Sequence, residues 1–260
     1  MNFDISHTPE RTGGDRSHGI TMMMDKGLSL KEAENFIESS ADFTDLVKLG
    51  FGTALITKNL REKVRLYQEA GLKPYFGGTL FEMFFVRNQF EDYRRFVKEA
   101  GLTHVEVSDG SIKMSEEEKL ECIRVLAGDH VVLSEVGSKV KGVELTNQQW
   151  VSHMKAELET GAWKVIAEAR ESGTIGIYES DGTANKTLID DIMSHISVNE
   201  VIWEAPNKAQ QVMFIKLVGA NVNLGNIAPA EVVSLEALRR GMRGDTFFDV
   251  LPDQFHHRKF

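Results

Sequence analysis

The sequence predicts a single-domain α/β protein, a (β/α)8 TIM barrel, and three observations carry this prediction. Eight short apolar segments alternate with segments of helical spacing along the 260 residues. No linker rich in Pro, Gly or Ser divides them. A doubly wound open sheet is the alternative fold, but its G-x-G-x-x-G fingerprint after the first strand is absent. We expect a polar N-terminal extension over residues 1–18, the barrel over 19–246, and a C-terminal tail over 247–260.

The predicted strands are short runs rich in β-branched and aromatic residues, bounded by turn residues. Their spacing is close to one strand-plus-helix unit, which is typical of parallel strands joined by helical crossovers. In chain order they are Gly19–Asp25, Asp45–Thr53, Leu72–Thr79, Thr103–Gly110, His130–Gly137, Trp163–Arg170, Glu200–Pro206 and Asn221–Ile227.

The predicted helices show apolar stripes at helical spacing between these strands. Ser115 with Glu118, and Thr146 with Gln149, form S/T-x-x-E/Q capping boxes that mark two helix starts. Glycines that end helices precede three of the strands. The stripes are Leu60–Tyr67, Phe90–Ala100, Leu120–Ala127, Trp150–Leu158, Val212–Gly219 and Val232–Arg240, and the glycines are Gly71, Gly101 and Gly161.

Composition excludes several classes of function. The formal net charge of −9 and the lack of a basic run argue against nucleic-acid binding. No apolar run is long enough to span a membrane, and the polar first 18 residues lack the apolar segment of a signal peptide. The single cysteine, Cys122, fits a reducing compartment, so a cytoplasmic location is expected. The sequence leaves undecided whether the protein forms a homo-oligomer through apolar helix faces, because no residue identifies an interface.

Four predicted strands end in a carboxylate: Asp109, Glu135, Glu168 and Glu204. The C-terminal ends of barrel strands face one cavity, where such acids would repel each other unless a cation lies among them. Clustered oxygen ligands suit a hard ion such as Mg²⁺. The alternative is that some of these acids pair with lysines or arginines at the barrel mouth.

Cationic side chains are expected at the same level of the barrel. Lys26 follows the first strand, Lys48 lies in the second, Lys139 follows the fifth and Arg170 closes the sixth. A cavity with both acids and fixed cations suits an anionic substrate bound together with a metal. Asn226, in a Gly-containing turn at the end of the eighth strand, lies where such barrels often bind phosphate.

A series of motifs, in order from about Gly19 to Thr246, matches one known family. The motifs are Phe51-Gly52-Thr53, Gly77–Glu82, Glu106–Ser111, Ser134–Gly137, Glu168–Gly173, Glu204–Pro206 with Gln210-Gln211, Val222–Asn226 and Leu238–Thr246. Together they resemble the phosphosulfolactate synthase family, which includes a plant branch associated with heat-stress tolerance. The resemblance covers nearly the whole chain.

The resemblance implies a (β/α)8 lyase that adds sulfite to phosphoenolpyruvate with Mg²⁺, giving (2R)-phospho-3-sulfolactate. In methanogens this product leads to coenzyme M, and in some bacteria to sulfolactate. Lys139 is implied as the proton-donating lysine, because the family's G-K-K motif maps onto Gly137-Ser138-Lys139. The departure at Ser138 removes one positive charge near the site. The implied metal ligands are Asp109, Glu135 and Glu168, with Glu204 as a fourth, and the implied anion-binding residues are Lys26, Lys48, Arg170, Asn226 and Arg243.

Two other functions stay open at this point. Ser138 motivates a related metal-assisted addition or enolisation on another phosphorylated or sulfonated acid. The plant branch motivates a non-catalytic, stress-related barrel protein. Joint retention of the implied catalytic and ligand residues favours catalysis; these are Asp109, Glu135, Lys139, Glu168 and Arg170.

Overall fold

A computed structural model of the chain describes residues 2–138, 145–169, 172–174 and 176–259, and eight parallel strands form its centre. The strands hydrogen-bond in the order β3-β2-β1-β8-β7-β6-β5-β4, which rolls the sheet into a nearly closed barrel and confirms the predicted fold class. The strands are β1 (Thr21–Asp25), β2 (Leu46–Leu49), β3 (Lys73–Phe76), β4 (His104–Val107), β5 (Val131–Val136), β6 (Ala162–Ala167), β7 (Val201–Glu204) and β8 (Leu224–Ile227).

Helices surround the barrel, and both predicted capping boxes are confirmed, at Ser115 and at Thr146. Among the described helices none is long and apolar enough to cross a membrane. The helices are α1 (Leu30–Ser40), α2 (Leu60–Glu69), α3 (Gly78–Phe85), α4 (Phe90–Glu99), α5 (Glu116–Ala127), α6 (Asn147–Thr160), α7 (Lys186–His195), α8 (Lys208–Val218), α9 (Val232–Arg239) and α10 (Phe247–Val250).

All eight strands are present, but several are shorter than the sequence pattern predicts. The second strand was expected to reach Thr53 and ends at Leu49. The residues after it turn, with the Thr53 N–H and hydroxyl both donating to the Gly50 carbonyl, at 3.3 and 2.7 Å. The predicted strand 45–53 therefore contains both β2 and the turn that follows it at the barrel mouth. The pattern of apolar residues alone does not show where the strand ends.

Two apolar layers form the core, one inside the barrel and one between the barrel and the helices. They arise because side chains alternate along each strand, so that one set faces the lumen and the other the helices. On β1, for example, Met22 belongs to the inner layer and Met23 to the outer one. The inner layer consists of Ile20, Met22, Leu46, Tyr75, Leu133, Ile166 and Ile202, all fully buried.

The N-terminal extension packs against the opposite end of the barrel from the strand-end acids. Arg16 forms an ion pair of 2.8 Å with Asp45, just before β2, and the other Asp45 oxygen accepts the Thr21 N–H at 2.9 Å. Arg11 forms an ion pair of 3.1 Å with Glu236 and also hydrogen-bonds Asn221, before β8. These buried pairs hold residues 11–16 against the start of three strands.

Candidate active site

A cavity of about 400 Å³ opens at the C-terminal ends of the strands. Its position matches the face on which barrels of this fold carry their functional groups. Eight of its twelve lining residues are charged or carry a hydroxyl or an amide, which suits a small charged ligand. The lining residues are Met24, Lys48, Phe51, Gly78, Thr79, Glu106, Ser111, Glu135, Ala169, Ser172, Glu204 and Asn226.

The buried ammonium of Lys48 lies at the centre of three glutamates. Its Nζ is 3.0 Å from Glu106 Oε1, 3.0 Å from Glu135 Oε2 and 3.3 Å from Glu204 Oε1. Burial alone would lower the pKa of Lys48, but the charges of these three glutamates hold it well above its ordinary value. Lys48 is therefore positively charged at neutral pH.

Glu106, which the sequence analysis did not select, faces this cavity, while Asp109 does not line it. Glu106 lies in β4 with Val105 and Val107 pointing to the helices, and its carboxylate also accepts the Gly78 N–H at 2.5 Å. Asp109 has the opposite parity and pairs with Lys119 of α5 at 2.8 Å. Asp109 lies two residues beyond the end of β4, and its contact with Lys119 places it outside the cavity lining.

Lys119 forms a second buried ion cluster behind the strands. Besides Asp109, it contacts Glu157 of α6 at 2.8 Å and donates to the Glu135 carbonyl at 2.7 Å. Burial alone would lower the pKa of Lys119, but Glu157 and Asp109 raise it above its ordinary value. The cluster fixes the backbone of β5 next to the Glu135 side chain and gives Asp109 a buried cationic partner.

Hydrogen bonds also fix the carboxylate oxygens of Glu135 and Glu204 that do not contact Lys48. The Ser108 hydroxyl lies 2.9 Å from Glu135 Oε1 and 2.8 Å from Glu82 Oε1, so its single proton can be donated to only one of them at a time. Glu204 Oε2 accepts the Ala169 N–H at 2.8 Å. In Glu135 one carboxylate oxygen contacts Ser108 and the other contacts Lys48. In Glu204 one oxygen accepts from Ala169 and the other contacts Lys48.

Glu168 directly follows β6 and lies against Gly137. A Cβ at position 137 would lie 2.8 Å from Glu168 Cβ and 3.2 Å from its Oε2, and the Gly137 φ is +142°. Only glycine fits both this contact and this backbone conformation. Gly137 therefore lets the chain after β5 pass close to the Glu168 carboxylate.

The remaining predicted site residues are dispersed. Asn226 lines the cavity in a left-handed conformation, φ +57°. Lys26 is exposed and is not among the lining residues. Arg243 is exposed as well and pairs with Asp245 at 3.0 Å. Lys139 and Arg170 lie outside the described residues.

The donor chemistry of the site fits a hard cation such as Mg²⁺. The carboxylates of Glu106, Glu135, Glu168 and Glu204 and the ammonium of Lys48, all buried, together carry a formal charge of −3. Carboxylate oxygens are the ligands that Mg²⁺ prefers. Within the described ranges no group of three or more His, Cys, Asp or Glu is already arranged around an ion position, because Lys48 lies between three of the glutamates.

Comparison with known proteins identifies the family. The model of the (2R)-phospho-3-sulfolactate synthase family matches residues 9–245. The phosphosulfolactate synthase of Bacillus subtilis (strain 168) is 41% identical over 253 residues, covering 95% of this chain and 100% of that protein. The phosphosulfolactate synthase of Methanothermobacter thermautotrophicus is 40% identical over 252 residues, covering 95% and 98%.

Solved structures support the fold alone. The 3-hexulose-6-phosphate synthase from Salmonella typhimurium superposes with a TM-score of 0.56 at 13% sequence identity, covering 84% of this chain and 97% of that one. The functional assignment rests on the sequence relatives, since they match at about three times that identity and over almost their full length. The chain therefore belongs to the phosphosulfolactate synthase family and is an enzyme of the lyase type.

Proposed function

We propose that the protein catalyses the Mg²⁺-dependent addition of sulfite to phosphoenolpyruvate, giving (2R)-phospho-3-sulfolactate. The observation that carries this proposal is the buried cluster of Lys48 and three glutamates at the strand ends, in a chain of this family. The cavity of about 400 Å³ has the size expected for a small acid and a second small anion.

Charge balance supports a bound divalent cation. Phosphoenolpyruvate and sulfite are both anions, and a mouth with an excess of carboxylates would repel them. Glu135, Glu168 and Glu204 are the residues that would hold Mg²⁺. Glu135 and Glu204 line the cavity, whereas Asp109 does not line it and pairs with Lys119. When bound, Mg²⁺ neutralises the negative charge that develops on the substrate carboxylate.

The chain's own residues would bind and orient the substrate. Lys48 keeps the glutamates in place and supplies a fixed positive charge in the cavity lining. Asn226 and the hydroxyl-bearing residues at the rim, Thr79 and Ser111, can donate to phosphate or carboxylate oxygens. Lys26, Arg170 and Arg243 remain the proposed sources of further positive charge.

In the proposed reaction the sulfur lone pair of sulfite attacks the methylene carbon of phosphoenolpyruvate and forms the C–S bond. The electron pair of the C=C bond moves toward the carbon that bears the carboxylate. A proton is then delivered to that carbon, and Lys139 is the proposed donor. The phosphate ester is retained, so atoms and charge balance without an oxidant or reductant.

Incubation of the purified protein with Mg²⁺, phosphoenolpyruvate and sulfite is expected to yield phosphosulfolactate, detected by mass spectrometry. Lys139→Ala is expected to lower the rate by about 10²–10⁴-fold, the usual contribution of a general acid, with an unchanged melting temperature. Omission of Mg²⁺ with a chelator present is expected to stop turnover.

The matched control is Lys31→Ala, which removes an exposed lysine paired with Glu34 on α1 and should leave the rate unchanged. Absence of product with the wild-type protein would refute the proposed reaction. Equal rates for Lys139→Ala and the wild type would refute the role of Lys139 while leaving the reaction in place.

A further inference from the structure

Phe51 has a backbone conformation that its side chain disfavours. It lies directly after β2, at the cavity rim, with φ +56°. The other described non-glycine residues with positive φ are His7, Asn59, Asn88 and Asn226. Asn and His adopt the left-handed region more readily than most residues, whereas a bulky aromatic there is an outlier. Phe51 therefore stands apart from every other left-handed side chain in the described part of the chain.

The surrounding structure holds Phe51 in this conformation from both sides. Gly50 and Gly52 flank it, and a Cβ at Gly52 would lie 2.9 Å from Met83 Sδ, while one at Gly50 would collide with the Met24 side chain. The turn is closed by the two hydrogen bonds from Thr53 to the Gly50 carbonyl. Strain of this kind persists where neighbours over-determine the backbone, and it is concentrated at binding and catalytic sites.

The ring of Phe51 lines the cavity and is 45% exposed. Most other lining side chains are charged, carry a hydroxyl or amide, or are glycine; Met24 and Ala169 are the apolar exceptions and are buried. The chain thus bears both a strained backbone and an exposed aromatic ring at one rim position. The ring is not among the side chains packed against either apolar layer, so a ligand contact would explain why it lies at the rim.

We propose that Phe51 is a specificity-determining residue whose ring forms the apolar wall of the substrate site. The ring contacts the uncharged carbon end of a small anionic acid, while the polar side of the cavity takes its charged groups. This inference rests on the proposed function for the identity of that acid, phosphoenolpyruvate, whose methylene carbon is the apolar end. The left-handed turn is what directs the ring to the rim at Phe51.

Three variants separate the ring from the strain. Phe51→Ala keeps the strain and removes the ring, so KM for phosphoenolpyruvate should rise about tenfold with kcat changed less than threefold. Phe51→Leu keeps an apolar wall and should stay within about threefold of the wild-type KM. Phe51→Asn removes the ring and also relieves the strain. It should show the KM of Phe51→Ala but melt roughly 2–4 °C higher than that variant, the shift expected for about 1 kcal/mol in a chain of this size.

Ile56→Ala is the matched control, because Ile56 lies in the same connection, is 84% exposed and is not a lining residue. Its KM should equal that of the wild type. An unchanged KM in Phe51→Ala would overturn the proposed wall, and equal melting temperatures for Phe51→Asn and Phe51→Ala would overturn the strain argument.

Calorimetric titration with phosphoenolpyruvate alone distinguishes failure of this inference from failure of the proposed function. If the wild type binds phosphoenolpyruvate but makes no product, the proposed reaction fails, while weaker binding by Phe51→Ala still supports the wall. If the wild type makes product and Phe51→Ala binds equally well, the wall alone fails. If the wild type does not bind phosphoenolpyruvate at all, both fail.

Discussion

Replacement of Lys48 by methionine is expected to reduce kcat/KM by about 10³-fold and the free energy of unfolding by about 3–5 kcal/mol. Methionine preserves the length of the side chain but removes the charge. Glu106, Glu135 and Glu204 would then face one another in the barrel without a cation between them. In the wild type the Lys48 Nζ lies 3.0–3.3 Å from an oxygen of each carboxylate. Loss of one member of a buried ion cluster is costly because it leaves the remaining charges uncompensated.

Denaturant unfolding at several pH values measures this effect. The folded-state pKa of Lys48 is raised, so its contribution to stability is fully present below its ordinary pKa of 10.5 and is lost only as pH rises beyond it. The stability difference between wild type and Lys48→Met should therefore persist across neutral pH. Lys31→Met, in an exposed pair with Glu34, is the control and should shift stability by less than about 1 kcal/mol. Near-wild-type stability of Lys48→Met would contradict the cluster's role.

The sequence predicted the barrel because its signals are local and repeat eight times. Each apolar run, capping box and helix-ending glycine acts within one strand-helix unit, as at Ser115 and Thr146. The alternation of side chains along each strand also predicts which residues face the barrel lumen. Leu46 and Lys48 lie two residues apart, so both face the barrel lumen, and both are buried there.

Strand-end position and side-chain parity select different acids at β4. Val105 and Val107 flank Glu106, so the alternation in β4 assigns Glu106 to the opposite face from both valines. The same alternation places Asp109 with the valines. For the acids at the ends of β5, β6 and β7, strand-end position and lumen-facing parity agree, so both criteria select Glu135, Glu168 and Glu204, which are all buried.

Other parts of the site depend on contacts that no local pattern encodes. Glu82 lies on α3 and reaches Ser108, 26 residues later in the chain, because the close approach at Gly78 brings α3 against β4. The left-handed backbone of Phe51 likewise follows from packing of its two glycine neighbours on Met24 and Met83. Such features come from the tertiary arrangement, and periodicity carries no information on them.

Glu106→Gln is expected to lower kcat/KM by about 10²-fold, whereas Asp109→Asn should stay within about threefold of the wild type. Both changes remove one negative charge and keep the side-chain length, so they form a matched pair. Glu106 faces the cavity, contacts Lys48 at 3.0 Å and accepts the Gly78 N–H. Its amide analogue leaves Lys48 with two anionic partners and alters the potential where the substrate binds.

Asp109→Asn should instead act on stability, lowering the free energy of unfolding by about 1 kcal/mol, because Lys119 keeps its buried partner Glu157. Steady-state kinetics and denaturant unfolding of the two variants, each at saturating Mg²⁺ and over a Mg²⁺ titration, separate the effects. A tenfold or larger increase in the Mg²⁺ concentration needed by Asp109→Asn would restore Asp109 as a metal ligand. A milder defect in Glu106→Gln than in Asp109→Asn would contradict the assignment by strand parity, since that assignment requires the lumen-facing acid to dominate activity.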